Sequence, residues 1–265
     1  MDLDINGRVA IITGGSEGIG KATALRLAHE GARVAICARR ESVLEEAAAE
    51  IRKQTGGEVL PVVTDVSKFQ DIQHLVQTVV DRWQGVDILV NNAGTSSAGP
   101  FEEMSDERWL TDLELKLFAA IRCTREVIPY MRKRNWGRVV NLTALGAKAP
   151  AARSGPSSVS RAAGVALTKA LSKEFASENI LVNTVCIGLV KAGQHEYRYT
   201  LAQDQRPGLT LNQFYDEMAQ ASQVPIGRVG EAEEAADLIA FLVSERASYI
   251  TGVAINIDGG SSPVV

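Results

Sequence analysis

The sequence predicts one α/β domain, covering residues 1–265, in which helices pack on both faces of a parallel sheet. Short apolar runs rich in β-branched residues alternate with longer segments of helical period. These runs are too continuously apolar for a sheet with one face in water, which favours parallel strands that are buried on both sides. No repeat or linker-like stretch divides the 265 residues, and α/β folds of this length often form one unit.

Strands and helices are expected to alternate along the whole chain. The apolar strand segments are RVAIIT (8–13), ARVAICA (32–38), EVLPVVTDV (58–66), DILVNNAG (87–94), RVVNLTA (138–144), ILVNTVCIG (180–188) and VAINIDGG (253–260). The segments of helical period are 21–30, 42–54, 71–83, 106–134, 157–177 and 232–243.

The segment from Ala192 to Val224 breaks this alternation. It is polar, contains Pro207 and Gly208, and has only weak helical periodicity around residues 211–221. It directly follows the carboxyl end of an expected strand, where open α/β sheets bind their ligands, and long insertions in such domains are usually functional. We therefore expect residues 192–224 to form a lid over a substrate.

Composition and charge argue against several classes of protein. The chain has 28 basic and 32 acidic residues and a net charge of −4, which disfavours a nucleic-acid partner. The N-terminus lacks the basic start of a signal peptide, and its apolar run is too short to cross a bilayer, so we expect a cytoplasmic protein without membrane contact. The three cysteines lie in apolar surroundings without a CxxC motif, and the three histidines are far apart, so neither disulfides nor a metal site are expected.

A glycine-rich turn, Thr13-Gly14-Gly15-Ser16-Glu17-Gly18-Ile19-Gly20, lies between the first expected strand and the first helix. Glycines at such a turn let backbone N–H groups approach a diphosphate at the helix N-terminus, where the helix dipole favours anions. The strand–turn–helix context therefore predicts a dinucleotide-binding site.

Further motifs follow this turn: Asp65-Val66, Asn91-Asn92-Ala93-Gly94, GRVVNL (137–142), ALTKALSKEF (166–175), ILVNTV (180–185) and the segment 227–260. Together with TGGSEGIG at 13–20 they make the chain resemble the short-chain dehydrogenase/reductase family over nearly its whole length. The resemblance implies a single doubly wound Rossmann domain with a seven-stranded parallel sheet. It also implies a homo-oligomer, a tetramer or a dimer, assembled through the long helices and the C-terminal segment.

The same resemblance implies which residues hold a nicotinamide dinucleotide. In the family, the glycines of the turn cradle the diphosphate, the pair at 65–66 borders the adenine, and residues 92–94 line the floor of the cleft. The implied cofactor-binding residues are Gly14, Ser16, Gly18, Ile19, Gly20, Arg39, Arg40, Asp65, Val66, Asn92, Ala93, Gly94, Arg161 and Gly188.

The residues after the second strand favour NADP(H) over NAD(H). NAD-preferring members of the family carry an acid at the position of Ala38, where it would bond the ribose 2′-hydroxyl. Here Arg39 and Arg40 follow Ala38, and guanidinium groups match the charge and geometry of a 2′-phosphate. Glu17 departs from the NADP pattern, because NADP-preferring members often have a basic residue there.

The catalytic end departs from the family pattern. The family's serine and its Tyr-x-x-x-Lys pair fall on Ala144, Ser157 and Arg161, and its frequent asparagine falls on Lys116. In the family the tyrosine exchanges a proton with the substrate oxygen, and the lysine lowers the pKa of the tyrosine and holds the nicotinamide ribose. No tyrosine of this chain has a lysine four residues on. The proton relay is therefore absent in the form that the family uses.

Ser157, Arg161 and Lys116 are the expected catalytic residues. Ser157 and Arg161 share one face of a helix, but a serine hydroxyl loses its proton poorly and a guanidinium does not release one. Lys116 could protonate the substrate oxygen, or it could be a solvated lysine at the helix rim. His195 in the lid is a second candidate donor, although a lone lid histidine is more often exposed.

Lys148 and Arg153, just before Ser157, are expected to line the cleft and to attract an acidic substrate. No residue of the lid indicates the substrate more closely.

Three functions remain open from the sequence. The first is an NADP(H)-dependent oxidoreductase that acts on a small carbonyl or alcohol with an atypical proton relay. The second is a non-catalytic dinucleotide-binding protein, a redox sensor or a partner of an active relative, because the reactive end is altered at Ala144, Ser157, Arg161, Ile187 and Ala192. The third is a cofactor-assisted lyase or isomerase, since fold does not determine function.

Overall fold

A computed structural model describes residues 2–265 of the chain. Within these residues seven strands form one sheet, and every neighbouring pair is parallel, in the order β3-β2-β1-β4-β5-β6-β7. The strands are β1 (Val9–Thr13), β2 (Arg33–Ala38), β3 (Val59–Val63), β4 (Ile88–Asn91), β5 (Gly137–Ala144), β6 (Ile180–Ile187) and β7 (Ala254–Ile257). The expected fold class, a single doubly wound α/β domain, is confirmed.

Helices connect these strands and cover both faces of the sheet. In the described part of the chain they are α1 (Gly18–His29), α2 (Glu41–Thr55), α3 (Phe69–Trp83), α4 (Asp106–Leu113), α5 (Ala119–Lys133), α6 (Ser157–Phe175), α7 (Gly193–Gln205), α8 (Leu211–Ala221) and α9 (Ala232–Leu242). The helical segment expected at 106–134 comprises α4 and α5, which are joined by a π-helical turn at Glu114–Phe118. None of the helices formed by residues 2–265 is both long and apolar enough to cross a membrane.

Two apolar layers form the core, one on each face of the sheet. On one face Leu27 of α1 and Leu44 of α2 pack with residues of α9 against the strands. On the other face Leu75 of α3 and Val127 of α5 do the same. Both layers are fully buried, which explains why the strands have apolar residues at successive positions rather than at alternate ones.

The segment 192–224 contains two helices, of which the sequence indicated only α8. A capping box starts α8: Gln213 N–H donates to Thr210 Oγ1 at 3.3 Å, and Thr210 N–H donates to Gln213 Oε1 at 3.0 Å. The polar helix α7 is held by tertiary contacts instead, because the hydroxyl of Tyr199 donates to the carbonyl of Leu209 at 3.0 Å. The Tyr199 ring also lies against that of Phe214 on α8, with 5.7 Å between centroids.

The strand order reverses between β1 and β4, which opens a crevice at the carboxyl ends of the strands. Asn92, directly after β4, closes the base of this crevice by donating from Nδ2 to the carbonyls of Thr13 and Gly14, at 2.8 and 3.0 Å. The Thr13 hydroxyl accepts the N–H groups of Asn92 and Ala93, each at 3.0 Å. These bonds fix the glycine-rich turn against the end of β4.

Gly20 has a packing role beneath this turn. A Cβ atom on Gly20 would lie 2.2 Å from the carbonyl oxygen of Gly14 and 2.5 Å from Nδ2 of Asn92. The first helix therefore approaches the turn so closely that only a hydrogen fits between them.

We expect Gly20→Ala to lower the free energy of unfolding in urea by about 1–3 kcal/mol, because the added methyl group overpacks a rigid backbone contact. Gly164→Ala in α6 is the matched control, since its Cβ would meet its nearest neighbour, a methyl group of Thr143, at an ordinary 3.5 Å. The control should be neutral or slightly more stable, as alanine has the higher helix propensity. Equal stability of the two variants would contradict the packing role.

Candidate active site

A cavity of about 810 Å³ opens at the carboxyl ends of the strands. Thirteen of the fourteen residues expected to bind the cofactor line it: Gly14, Ser16, Gly18, Ile19, Arg39, Arg40, Asp65, Val66, Asn92, Ala93, Gly94, Arg161 and Gly188. The exception is Gly20, which lies beneath the turn rather than in the cavity wall and has a packing role there; its contact with a diphosphate stays a prediction. Lys116 and Ser157 also line the cavity, and the structure thus brings the expected catalytic residues and the cofactor residues to one site.

The glycine-rich turn leaves room for a large anion. Gly14 and Gly18 both have left-handed backbone, with φ angles of +66° and +52°, which favours glycine at both positions. A Cβ on Gly14 would already lie 3.0 Å from Asn92 Nδ2. Since Ser16, Gly18 and Ile19 at the start of α1 line the cavity, the turn fits the diphosphate of a dinucleotide.

Opposite charges meet at the end of the cavity that lies next to the carboxyl end of β2. Arg39 and Arg40 are exposed there, and the guanidinium of Arg40 forms an ion pair with the carboxylate of Glu17. Arg39 has no ion-pair partner among residues 2–265. Burial acts to raise the pKa of the nearby Asp65, but hydrogen bonds from Ser67 and the charge of Arg39 outweigh it, and the pKa is lowered. One guanidinium is therefore available for a 2′-phosphate, and the second is shared with Glu17.

Lys116 and Ser157 are in direct contact at the other end of the cavity. The π-helical turn between α4 and α5 carries Lys116, whose side chain is only 1% exposed, so it is not a solvated lysine at the rim. Its Nζ donates to Ser157 Oγ at 2.8 Å. Ser157 is the first residue of α6, and its Oγ also accepts the backbone N–H of Ser97 at 2.8 Å.

An acidic residue lies behind Lys116. Asp112, one helical turn earlier on α4, forms a buried ion pair with the Lys116 ammonium through Oδ1. Its Oδ2 accepts the hydroxyl of Ser160 at 2.6 Å. Burial lowers the pKa of Lys116, and the charge of Arg161 lowers it as well, whereas Asp112 acts in the opposite direction.

Arg161 places its guanidinium on the floor of the cavity. Nη1 donates to the carbonyl of Leu142 at 2.6 Å, and burial lowers the pKa of the group. A Cβ on Gly94 would lie 2.7 Å from Nη2, so glycine at 94 is what allows the side chain to lie flat over the backbone. Ala144, at the position of the family's serine, provides no hydroxyl. The neighbouring Thr143 donates its hydroxyl to Cys186 Sγ at 3.2 Å.

His195 is buried, contrary to what is usual for a lone histidine in a lid. It lies on the first turn of α7, lines the cavity and is 7% exposed. Its Nδ1 has no hydrogen-bond partner among the described residues. Burial lowers its pKa and the charge of Arg198 lowers it further, so the ring is the neutral form at pH 7.

The expectation that Lys148 and Arg153 line the cavity is wrong in this structure, whereas the attraction of an acidic substrate stays a prediction. Neither residue lines the cavity. Lys148 donates from Nζ to the carbonyl of Ala254 at 2.6 Å, which ties it to the end of the sheet, and Arg153 is exposed outside the site.

Asp112, Ser160 and Ser97 are the site residues that the sequence did not indicate. The spacing of four residues between Asp112 and Lys116 is the one signal that could have revealed an ion pair on a helix. Ser97 acts through its backbone N–H, which no side-chain pattern reports.

Comparison with known proteins shows which family the chain belongs to. The family model described as enoyl-(acyl carrier protein) reductase matches residues 14–262. The chain belongs to the short-chain dehydrogenase/reductase family. A putative ketoacyl reductase of Streptomyces coelicolor is 36% identical over 258 residues, which are 95% of this chain and 96% of that protein.

Solved structures of this family superpose on nearly the entire chain. One is L-sorbose reductase from Gluconobacter frateurii complexed with NADPH and L-sorbose, with a TM-score of 0.95, 35% identity and full coverage of both chains. Another is an NADPH-bound short-chain oxidoreductase from Pseudomonas aeruginosa that is described as containing an atypical catalytic centre. Its TM-score is 0.90 at 34% identity, and the match covers 97% of this chain and 98% of that chain.

We expect the thiol of Cys37 to resist alkylation although it contributes to the cavity wall. Burial raises its pKa to about 12, so only about one thiol in ten thousand is ionised at pH 8. Mass spectrometry after treatment with iodoacetamide at pH 8 should find Cys37 unmodified in the folded protein and modified in guanidinium chloride. Ser177→Cys supplies an exposed control thiol, and labelling of Cys37 at the rate of that control would refute this expectation.

Proposed function

We propose that this protein is an NADP(H)-dependent oxidoreductase that reduces a small carbonyl compound, or oxidises the corresponding alcohol, through a Ser157–Lys116 proton relay. One observation carries the proposal. Both acceptor positions of Ser157 Oγ are occupied, by Lys116 Nζ and by the N–H of Ser97, each at 2.8 Å. A hydroxyl has one proton and two lone pairs, so the remaining O–H is free to donate to a substrate oxygen.

The cavity supports the cofactor half of the proposal. The glycine-rich turn would hold the diphosphate, Asp65 and Val66 the adenine, Arg39 the 2′-phosphate, and Arg161 the hydroxyls of the nicotinamide ribose. A bound reduced nicotinamide supplies a hydride to the carbonyl carbon of the substrate. The NADPH complexes of two solved relatives support the same choice of cofactor.

The proton would reach the substrate from Lys116 through Ser157. As the carbonyl oxygen gains negative charge, it takes the proton of the Ser157 hydroxyl, and Ser157 Oγ takes one from the Lys116 ammonium. A serine hydroxyl and an alcohol product have similar acidity, so serine passes the proton on without ever holding a lasting negative charge. Lys116, whose pKa is lowered by burial, is the acid of the pair.

Positive charge would stabilise the developing alkoxide. Lys116 and Arg161 are both in the wall of the cavity near Ser157, and Asp112 balances only one of the two charges. Preorganised charges in a site of low dielectric contribute strongly to catalysis, because they need no reorganisation when the oxyanion forms. Arg161 would thus replace the charge of the family's lysine but not its proton.

The protein would therefore be a divergent member of its family that lacks the Tyr-x-x-x-Lys pair. Ser157 occupies the tyrosine position and Arg161 the lysine position, while Lys116 returns an ammonium to the site from a different helix. The relative described as having an atypical catalytic centre supports the idea that such exchanges are compatible with an oxidoreductase. The ketoacyl and L-sorbose reductases support reduction of a ketone.

We also propose that α7 and α8 form a lid over the substrate and that the protein is a homo-oligomer. His195 on α7 is part of the cavity wall, which supports the lid. Large apolar side chains are exposed on the helices expected to form subunit contacts, namely Leu110, Phe118 and Val159, at 62%, 41% and 51%. Exposed apolar surface of this kind marks protein interfaces.

We expect Ser157→Ala and Lys116→Met each to lower kcat for NADPH-dependent reduction of ketones by about 10²- to 10⁴-fold, since each removes one step of the proton relay. The affinity for NADPH should change little in the Ser157 variant. Ser177→Ala, at an exposed serine just beyond the far end of α6, is the matched control and should keep full activity.

Two results would reject the proposed function. If the wild-type protein oxidises no NADPH with any member of a broad panel of ketones and aldehydes, yet binds the cofactor, the protein is a non-catalytic dinucleotide-binding protein. If Ser157→Tyr combined with Arg161→Lys creates activity that the wild type lacks, the native site has no working relay.

We expect Arg39→Ala to raise the Kd for NADPH by roughly 10- to 100-fold, because the variant loses a charge-assisted contact to the 2′-phosphate. The Kd for NADH, which has no 2′-phosphate, should not change. Calorimetric titration of both nucleotides measures this. Arg33→Ala is the control, since Arg33 is an exposed arginine at the opposite end of β2, paired with Glu58 at 3.2 Å. An equal loss of affinity for NADPH and NADH would show that Arg39 does not contact a 2′-phosphate.

A further inference from the structure

The Lys116 ammonium is in an environment that disfavours its charge. Its side chain is 1% exposed, and the second cation of the site, Arg161, lies on the neighbouring helix α6. A lysine desolvated in this way readily loses its proton at neutral pH unless an opposite charge compensates. A relay that reduces a carbonyl needs the protonated form, so some group must preserve it.

Asp112 is placed to do this. It lies one turn before Lys116, and its side chain is also 1% exposed. Both carboxylate oxygens are used: Oδ1 pairs with Lys116, and Oδ2 accepts the Ser160 hydroxyl at 2.6 Å. Asp112 does not line the cavity, so it reaches the substrate only through Lys116.

Ser160 fixes the direction of this carboxylate. It lies on α6 between Ser157 and Arg161, and its hydroxyl is buried. The bond from Ser160 to Asp112 therefore connects α6, which carries the proton-donating hydroxyl, to α4, which directly precedes the π-helical turn that carries the lysine. Asp112 on α4 and Ser160 on α6 thus hold the Lys116 ammonium against Ser157 Oγ.

We propose that Asp112 is a positioning residue of the proton relay, which holds the Lys116 ammonium against Ser157 and keeps it charged. This inference rests on the proposed function, and it adds a residue that neither the family resemblance nor the cavity wall indicates. In each turnover Lys116 gives a proton to Ser157 Oγ while Ser157 gives its own to the substrate oxygen, and the lysine amine regains a proton from water. Asp112 keeps its negative charge throughout.

The sign of the pH effect follows from the charges that face Lys116, which are Asp112 on α4 and Arg161 on α6. Asp112 raises the pKa of Lys116, whereas burial and Arg161 lower it. Reduction requires the ammonium, so kcat declines as the pH rises through the pKa of Lys116. Removal of the carboxylate charge lowers this pKa and must move the alkaline limb of the kcat profile toward lower pH.

The test is Asp112→Asn, which keeps the shape of the side chain and removes its charge. With NADPH and a reducible ketone, the alkaline limb should move by about one to three pH units toward acid, the usual effect of an opposite charge within contact distance. At pH 7 kcat should fall about 10- to 100-fold, while the Kd for NADPH stays the same. Glu114→Gln, two residues on and paired with Arg122 at 2.6 Å, is the matched control and should leave the limb in place.

A second variant keeps the test decisive if Asp112→Asn does not fold, and a second measurement keeps it decisive if the protein shows no turnover. Ser160→Ala removes one bond to Asp112 and a longer contact, at 3.1 Å, to the backbone carbonyl of Ser157 in the same helix. It should therefore fold, and it should move the limb in the same direction by a smaller amount. The pKa of Lys116, followed by NMR of the ¹³C-labelled side chain, should be lower in both variants than in the wild type. This titration needs neither cofactor nor substrate.

The outcomes separate this inference from the proposed function. If the wild type reduces ketones but the limb stays in place in both variants, Asp112 is a structural ion pair and the inference is overturned. If the wild type turns over no ketone, the proposed function fails. The NMR titration then still decides whether Asp112 keeps Lys116 charged, and an unchanged pKa in both variants overturns that statement as well.

Discussion

The hydrogen bonds of Asn92 to the Thr13–Gly14 turn join the carboxyl ends of β1 and β4, and the cavity is arranged around this junction. Two strands that are distant in sequence meet here because the order of the sheet reverses. The turn must approach Asn92 and α1 so closely that side chains are excluded at Gly14 and Gly20. With this junction fixed, the start of α1 and the ends of the neighbouring strands all face one crevice.

The catalytic end is governed by the cost of burying charge. Lys116, Asp112 and Arg161 are withdrawn from water, and an unpaired ion in such a place is strongly disfavoured. The carboxylate of Asp112 compensates the ammonium of Lys116, while the guanidinium of Arg161 donates to the carbonyl of Leu142.

The sequence predicted which residues form the site better than it predicted the contacts between them. The glycine-rich turn was identified from its motif and context, and Asn92 and Arg161 from the resemblance to the family, and the structure brings them into one cavity. The contact between Lys116 and Ser157 joins residues 41 positions apart, which no local pattern reports. The burial of His195 was missed for the same reason, since α7 is polar and is held in place by contacts with its neighbour α8 rather than by its own periodicity.

The sequence by itself determined the fold class, the order of strands and helices and the glycine-rich turn, because these follow from local hydrophobic patterns and from where glycine is needed. Only the tertiary structure decided how charge and protons are distributed in the site. It brought Asp112 and Ser160 behind Lys116, left one proton of Ser157 unused, and excluded Lys148 from the wall. Hydrogen bonds and ion pairs depend on distances of a few tenths of an ångström between helices that pack through long-range contacts, and such distances are properties of the packed molecule alone.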